Sequence, residues 1–343
     1  VQGSDVVAHS AGILDIKTNI LPNADALFLT AIDPYGHELW RWTFPVNKLN
    51  QQTEQLSPLS SRPTYTETEN DLTVKANKRT FIFSKKDGQL KGVSVDNRKI
   101  SFANGPRFIG ARRADRSLDQ FYNHDDEKAK EKDRTYSEFP DAAVFTKLDV
   151  KQDGGDLIVT ANYKLGNLDK AQWTINPSGD LALDYTYNFS GVVDLMGIRF
   201  DYPEDQVISK RWLGAGPYRV WQNRIHGTQY DVWENDYNDP IPGETFTYPE
   251  FKGYFGDVSW MNIQTKEGTI SLTNETPDAY IGVYQPRDGR DRLLYTLPES
   301  GISVLNVIPP VRNKVNSTDL CGPSSQPKWV NGPQTGRVIF RFM

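Results

Sequence analysis

The chain has 343 residues, a length that suits two domains of ordinary size and can bury a substantial core. Its 39 basic and 44 acidic residues give a net charge of -5 without a basic stripe, which excludes the electrostatic footprint of a nucleic-acid partner, and no run of about 18 apolar residues marks a membrane span. A single cysteine, Cys321, excludes an internal disulfide, and with no Cys-His cluster around it there is no structural zinc site; no metal or other cofactor is expected.

Residues 1–52 offer about three strands, too few to close a sandwich of their own. The stretch QQTEQLSPLSSRPTYTET, residues 51–68, is rich in Gln, Ser, Thr and Pro with no sustained period, and it places a linker at 53–68 between that β segment and a second domain at 69–343. Lys86-Asp87-Gly88 closes a hairpin, because glycine takes positive φ without steric cost. The charge run NHDDEKAKEKDR, residues 123–134, reads as a solvated loop. Strict alternation in LIVTANYKL puts Leu157, Val159, Ala161, Tyr163 and Leu165 on one face. LALDYTYNF does the same for Leu181, Leu183, Tyr185, Tyr187 and Phe189, and Asn176-Pro177-Ser178-Gly179 supplies the turn between these runs. Further strands are expected over 144–150, 206–212, 269–272, 280–284 and 336–342. Many short strands and no amphipathic helix of three turns predict an all-β, antiparallel double-sheet sandwich.

The most specific stretch is WLGAGPYRVWQNR, residues 212–224. It resembles a segment of the last domain of β-galactosidase-type enzymes of glycoside hydrolase family 2, W-x-G-x-G-P-x-x-x-(Y/W)-x-(D/N)-R, with Trp212, Gly214, Gly216, Pro217, Trp221, Asn223 and Arg224 in place and Asn where Asp is commoner. LTVKANKRTFIFSKKDGQLKGVSVDNRKI resembles the opening strands of the same domain. FIGARRADRSLDQFYN stands where relatives carry an Arg-rich turn and is too diverged to inherit a role. ADALFLTAIDPYGHELWRWTFPV resembles the closing strands of the preceding immunoglobulin-like domain.

The resemblance implies a partial immunoglobulin-like β segment followed by a galactose-mutarotase-like β-supersandwich. It also implies a parent that hydrolyses O-glycosyl bonds with two glutamates on an upstream (β/α)₈ barrel. Nothing in this chain has the alternating strands and helices of such a barrel over about 250 residues. The chain is therefore expected to be an excised, non-catalytic C-terminal portion, inactive alone, that supports the barrel and meets oligo- or polysaccharide through the parent. An independent carbohydrate-binding module and a mutarotase-type sugar epimerase are the alternatives. Localisation stays open, with a periplasmic or secreted bacterial parent in view.

Between 218 and 237 aromatic and amide groups crowd together, the mixture that binds a pyranose by stacking on its C–H face and bonding its hydroxyls. The carbohydrate-contact candidates are Tyr218, Trp221, Asn223, Arg224 and Trp233, set against a reading in which they lock a long loop over the sheet. Gly214 and Gly216 allow close backbone approach, and no helix follows them, so no phosphate site is implied. Of His9, His37, His124 and His226, only His226 is placed to serve an epimerase as acid or base, against a reading as an ordinary loop histidine. Glu234 and Asp236 share the aromatic-rich loop but carry no sign of the tuned pair that glycoside hydrolysis needs. No Gly-x-Ser-x-Gly elbow occurs, and Cys321 has no nearby histidine. GISVLNVIPPVRNKVNSTDLCGPSSQP resembles the family's late loop, which sends an aromatic residue to the rim of the substrate pocket. Residues 303–306 have none, which argues for a glycan other than a lactose-like one. Asn313 and Lys314, with Asn316 and Asp319, remain candidates to reach the barrel.

Overall fold

The computed structural model describes residues 6–16, 24–46, 61–113, 136–237, 253–283, 297–310 and 322–343. The chain divides into two compact units, Val1–Gln52 and Thr53–Met343.

In the first unit the described residues form one antiparallel pair, β1 (Ala26–Ile32) with β2 (Glu38–Pro45). The turn between them is set by Asp33, whose carboxylate accepts the backbone N–H of Tyr35 and of His37 at 2.8 Å each, and Gly36 takes φ +89°. These bonds hold the Asp33 carboxyl below its ordinary pKa.

The second unit opens with β3 (Thr64–Glu67), β4 (Asp71–Ala76), β5 (Arg79–Ser84), β6 (Leu90–Val95), β7 (Arg98–Ile100), β8 (Ala103–Arg113) and β9 (Tyr136–Glu138). A meander follows: β10 (Val144–Asp153), β11 (Asp156–Lys164), β12 (Leu168–Ile175) and β13 (Leu181–Val193). The remainder is β14 (Leu195–Asp201), β15 (Val207–Gly216), β16 (Gln229–Asp236), β17 (Trp260–Thr265), β18 (Gly268–Asn274), β19 (Tyr280–Gly282), β20 (Ile302–Val307) and β21 (Lys328–Phe342). They build a nine-stranded sheet, β10-β11-β12-β13-β21-β18-β17-β15-β16. The other sheet has ten strands, β19-β20-β14-β8-β6-β5-β4-β3, with β7 on β6 and β9 on β8. All strand pairs within the two sheets are antiparallel, and among the described residues the only helices are short 3₁₀ turns. This is a β-supersandwich.

Alternation explains the main core. Leu157, Val159 and Ala161 of β11, Ala171, Trp173 and Ile175 of β12, and Leu183, Tyr185 and Tyr187 of β13 are all buried, each large apolar side chain contributing roughly 1.5–3 kcal/mol by leaving water. They meet the inner face of the other sheet in an aromatic cluster in which Phe102 stacks on Phe200 at 4.7 Å and lies 4.9 Å from Phe340. Leu165, expected on the same face, departs from it: φ is +58° at the turn and the side chain is 73% exposed. Turn demands end the period one residue early.

A second core lies on the opposite face of the ten-stranded sheet. Neighbouring residues on β8, β14 and β20 divide between the two cores: Phe108, Met196 and Val304 point to the first, Ile109, Leu195 and Leu305 to the second. Residues 303–306 are therefore not part of a loop. They sit in β20, with Ser303, Val304 and Leu305 fully buried, and their lack of an aromatic says nothing about a pocket rim.

Candidate functional site

The second core needs a roof, and residues 217–224 provide much of it. Val220 exchanges backbone hydrogen bonds with Tyr254 at 2.7 and 2.8 Å, and Gln222 N–H donates to the Pro309 carbonyl at 3.0 Å. Arg224 N–H then donates to the Trp221 carbonyl at 2.9 Å, closing a tight turn. The turn points Trp221 down into the second core, where it is 0% exposed and meets Tyr254 edge to face at 5.9 Å. Burial raises the Tyr254 phenol above its ordinary pKa.

Trp221 is thus corrected as a carbohydrate-contact candidate: an indole with no exposed surface offers no platform to a sugar, and packing holds it. Beside it, Gln222 Nε2 donates to the carbonyls of Ser324 and Gln326 at 2.8 and 2.7 Å, and Asn223 Nδ2 donates to Ser325 Oγ at 3.1 Å. These amides tie the motif to the segment that leads into β21.

The glycines do what close approach requires. A Cβ on Gly214 would stand 3.0 Å from the Gly256 carbonyl oxygen and from Val258 Cα, and one on Gly216 would fall 2.3 Å from Cδ1 of Trp233. Trp233, on β16, is half-buried, and its Nε1 donates to the Gln229 carbonyl at 3.1 Å. Tyr218 is also half-buried, its hydroxyl occupying the space a side chain would take at Gly227, where φ is +92°.

The structure therefore brings Tyr218, Trp221 and Asn223 together in the roof and strings Arg224 and His226 along its exposed edge. Among the described residues no hydrogen bond or ion pair fixes His226, so it lacks the partner that would aim a catalytic imidazole. Glu234 and Asp236 face solvent on β16, and Glu234 lies 3.9 Å from Arg211. Asn313 and Lys314 lie outside the described residues, as do His124, Cys321 and the charge run. Sequence reasoning did not foresee the anchoring partners Tyr254, Pro309 and Ser325, which are remote along the chain and carry no local signal.

Comparison with known proteins gives one family match. Residues 75–309, more than half of the chain, match the family described as the β-galactosidase small chain. Comparison with curated protein sequences yields no match. Among solved structures the chain is similar to galactose 1-epimerase from Lactobacillus acidophilus NCFM, with 10% identity over 83% of this chain and 99% of that one and a TM-score of 0.42. It is also similar to an aldose epimerase homologue from C. elegans, with 9% identity over 82% and 99% and a TM-score of 0.38.

Proposed function

The chain belongs to the β-galactosidase small-chain family, and from that premise we propose that it is the C-terminal, non-catalytic part of a β-galactosidase-like glycosidase. Its sandwich buttresses a separate catalytic barrel, and carbohydrate is met through the parent enzyme.

The observation that carries this reading is the face of the β1–β2 pair. The register opposes Leu27 to Phe44, Leu29 to Trp42 and Ala31 to Trp40, which puts all six side chains on one side of the pair. Trp40, Trp42 and Phe44 are 52%, 44% and 48% exposed. Two strands alone are marginal in water, and a contiguous aromatic face marks a surface made to meet another. Further polypeptide of a parent enzyme meets both requirements.

Two measurements test the proposal. The reading frame around the chain is expected to encode a barrel carrying two glutamates, and the isolated chain is expected to leave a chromogenic β-galactoside intact while the complete product cleaves it. A reading frame without a barrel, or enzyme-like turnover by the isolated chain, overturns it.

A further inference from the structure

The outward face of β13 and β21 is a surface that the roof motif does not touch. The two strands pair without a register shift from Leu181↔Phe340 to Val193↔Lys328, so alternate residues form rows on one face. Phe189 and Val330 turn inward and pack against the main core. The outward rows are Trp329 with Val192, Asn331 with Ser190, Pro333 with Asn188, Thr335 with Thr186, and Arg337 with Asp184.

The three middle rows carry no charge, in a chain of which 24% is charged, and depletion of charge is the compositional mark of a protein contact. The two ends differ. At one, Trp329 is 71% exposed. At the other, a hollow of about 410 Å³ opens over Gln172, Asp184 and Arg337, with Lys170, Glu275 and Thr335 among its walls. Its groups reach solvent: the side chains of Arg337, Asp184 and Glu275 are 39%, 38% and 22% exposed. Arg337 is pinned in its plane, with Nη1 on Asp184 Oδ2 and Nε 3.0 Å from Glu275 Oε2. A guanidinium held along its edges by carboxylates still presents its flat face, on which an indole stacks.

Knob and hollow complement each other about a centre. Trp329 and Arg337 are each four residues from Pro333, so the two ends stand about 26 Å apart at roughly 3.3 Å per residue. A two-fold axis in the plane of contact, running across the strands at Pro333 and Asn188, lays a second copy antiparallel on the first. β21 then lies over β21, Asn331 meets Thr335, and each Trp329 enters the hollow at the other copy's Arg337. The same patch serves both copies, the requirement of an isologous contact. The contact is made by the face and not by the open edge of β21. Arg337 turns its carbonyl toward that side, to Glu275 N–H, and Pro333, of the same parity, has no N–H there to pair with an added strand.

We infer that this face binds a second copy of the chain as a two-fold symmetric dimer, with Trp329 seated on Arg337 across the axis. The strip measures roughly 26 Å by 10–15 Å, on the order of 300–400 Å² per copy against about 800 Å² for a stable interface. The dimer is therefore weak, with a Kd on the order of 0.1–1 mM. The inference does not rest on the buttressing role, and either can fail without the other.

The test is sedimentation equilibrium of the purified full chain over about 0.01–2 mM, where a monomer–dimer equilibrium is expected. Trp329→Ala, at a side chain the fold leaves exposed, is expected to weaken dimerisation roughly tenfold or more, as the loss of an aromatic anchor does. Two paired variants test the axis. Asn331→Lys with Thr335→Lys sets like charges against each other across it and is expected to abolish the dimer, whereas Asn331→Lys with Thr335→Glu sets opposite charges there and is expected to keep it. The inference is overturned if the chain stays monomeric throughout, if Trp329→Ala leaves the association constant unchanged, or if the two paired variants dimerise equally. It is also overturned if a longer product of the same reading frame, while monomeric, shields Trp329 from acrylamide quenching, since the strip would then belong to the parent's own polypeptide.

Discussion

Gly216→Ala tests the physical reading of the motif most sharply. Gly216 is not among the positive-φ glycines, so alanine meets no backbone barrier there. What it meets is Trp233, whose Cδ1, Cγ and Nε1 stand 2.3, 2.5 and 2.6 Å from the new Cβ. Because Cγ is the root of the indole, bending the ring tip gives no relief; the whole side chain must turn, breaking the 3.1 Å bond from Nε1 to the Gln229 carbonyl. Overpacking of this kind costs about 1–3 kcal/mol and the lost bond about 1 more, offset by about 0.4–1 kcal/mol from the stiffer unfolded chain. A net loss of about 1–3 kcal/mol is expected, measured as a lower urea midpoint at unchanged slope. In a Trp233→Ala background the obstacle is gone, and Gly216→Ala should become neutral or slightly stabilising, a coupling of about 0.5–3 kcal/mol. An equal cost in both backgrounds would refute the argument, since the glycine would then serve its own backbone and not the ring.

Other substitutions and conditions probe separate parts of the molecule. Gln222→Ala leaves the Ser324 and Gln326 carbonyls without their shared donor, and a stability loss of about 1–3 kcal/mol is expected by urea denaturation. Burial pushes Tyr185 up to about 12 and raises Tyr187, Tyr202 and Tyr254 as well. The folded-state pKa lies above the unfolded value of about 10, so this stability is complete below pH 10 and is lost as pH rises through 12, roughly 3 kcal/mol for Tyr185. A tyrosinate absorbance titration should show the buried tyrosines ionising only as the fold is lost. His226→Ala should change stability by less than about 0.5 kcal/mol and leave anomer exchange of free sugars, followed by NMR, at the uncatalysed rate.

How much of this was legible beforehand depends on how many faces of a strand are covered. In β11 and β13 one face is buried more fully than the other, so residues 157–163 and 181–189 alternate and their strands can be read directly. In β8 and β14 both faces are apolar, as FIGA and LMGI show, because the main core lies on one side and the roofed core on the other. A run of that kind gives a strand no direction, and the second core could not be inferred from it. The same limit governs the site. Clustering of aromatic and amide residues at 218–237 is visible in the sequence, but whether an indole faces solvent or core is decided by Tyr254, Pro309 and Ser325, whose proximity only the fold creates.

Closure of the roof explains why the motif tolerates so little local freedom. A Cβ on Gly253 would fall 2.0 Å from the Val220 carbonyl oxygen, so the two backbones can exchange their bonds only if one of them carries no side chain at that point. Trp221 then fills the space beneath, and Gln222 and Asn223 fasten the turn to residues 324–326. Each bond satisfies a backbone or amide group that would otherwise be stranded over an apolar surface, where an unpaired polar group costs about 1–3 kcal/mol. The roof segments are consequently interdependent: lifting one exposes the donors of the next and uncovers Ile109, Leu195 and Leu305 below. A motif that in sequence looks like the wall of a ligand site is, in this fold, what covers the second face of β8, β14 and β20.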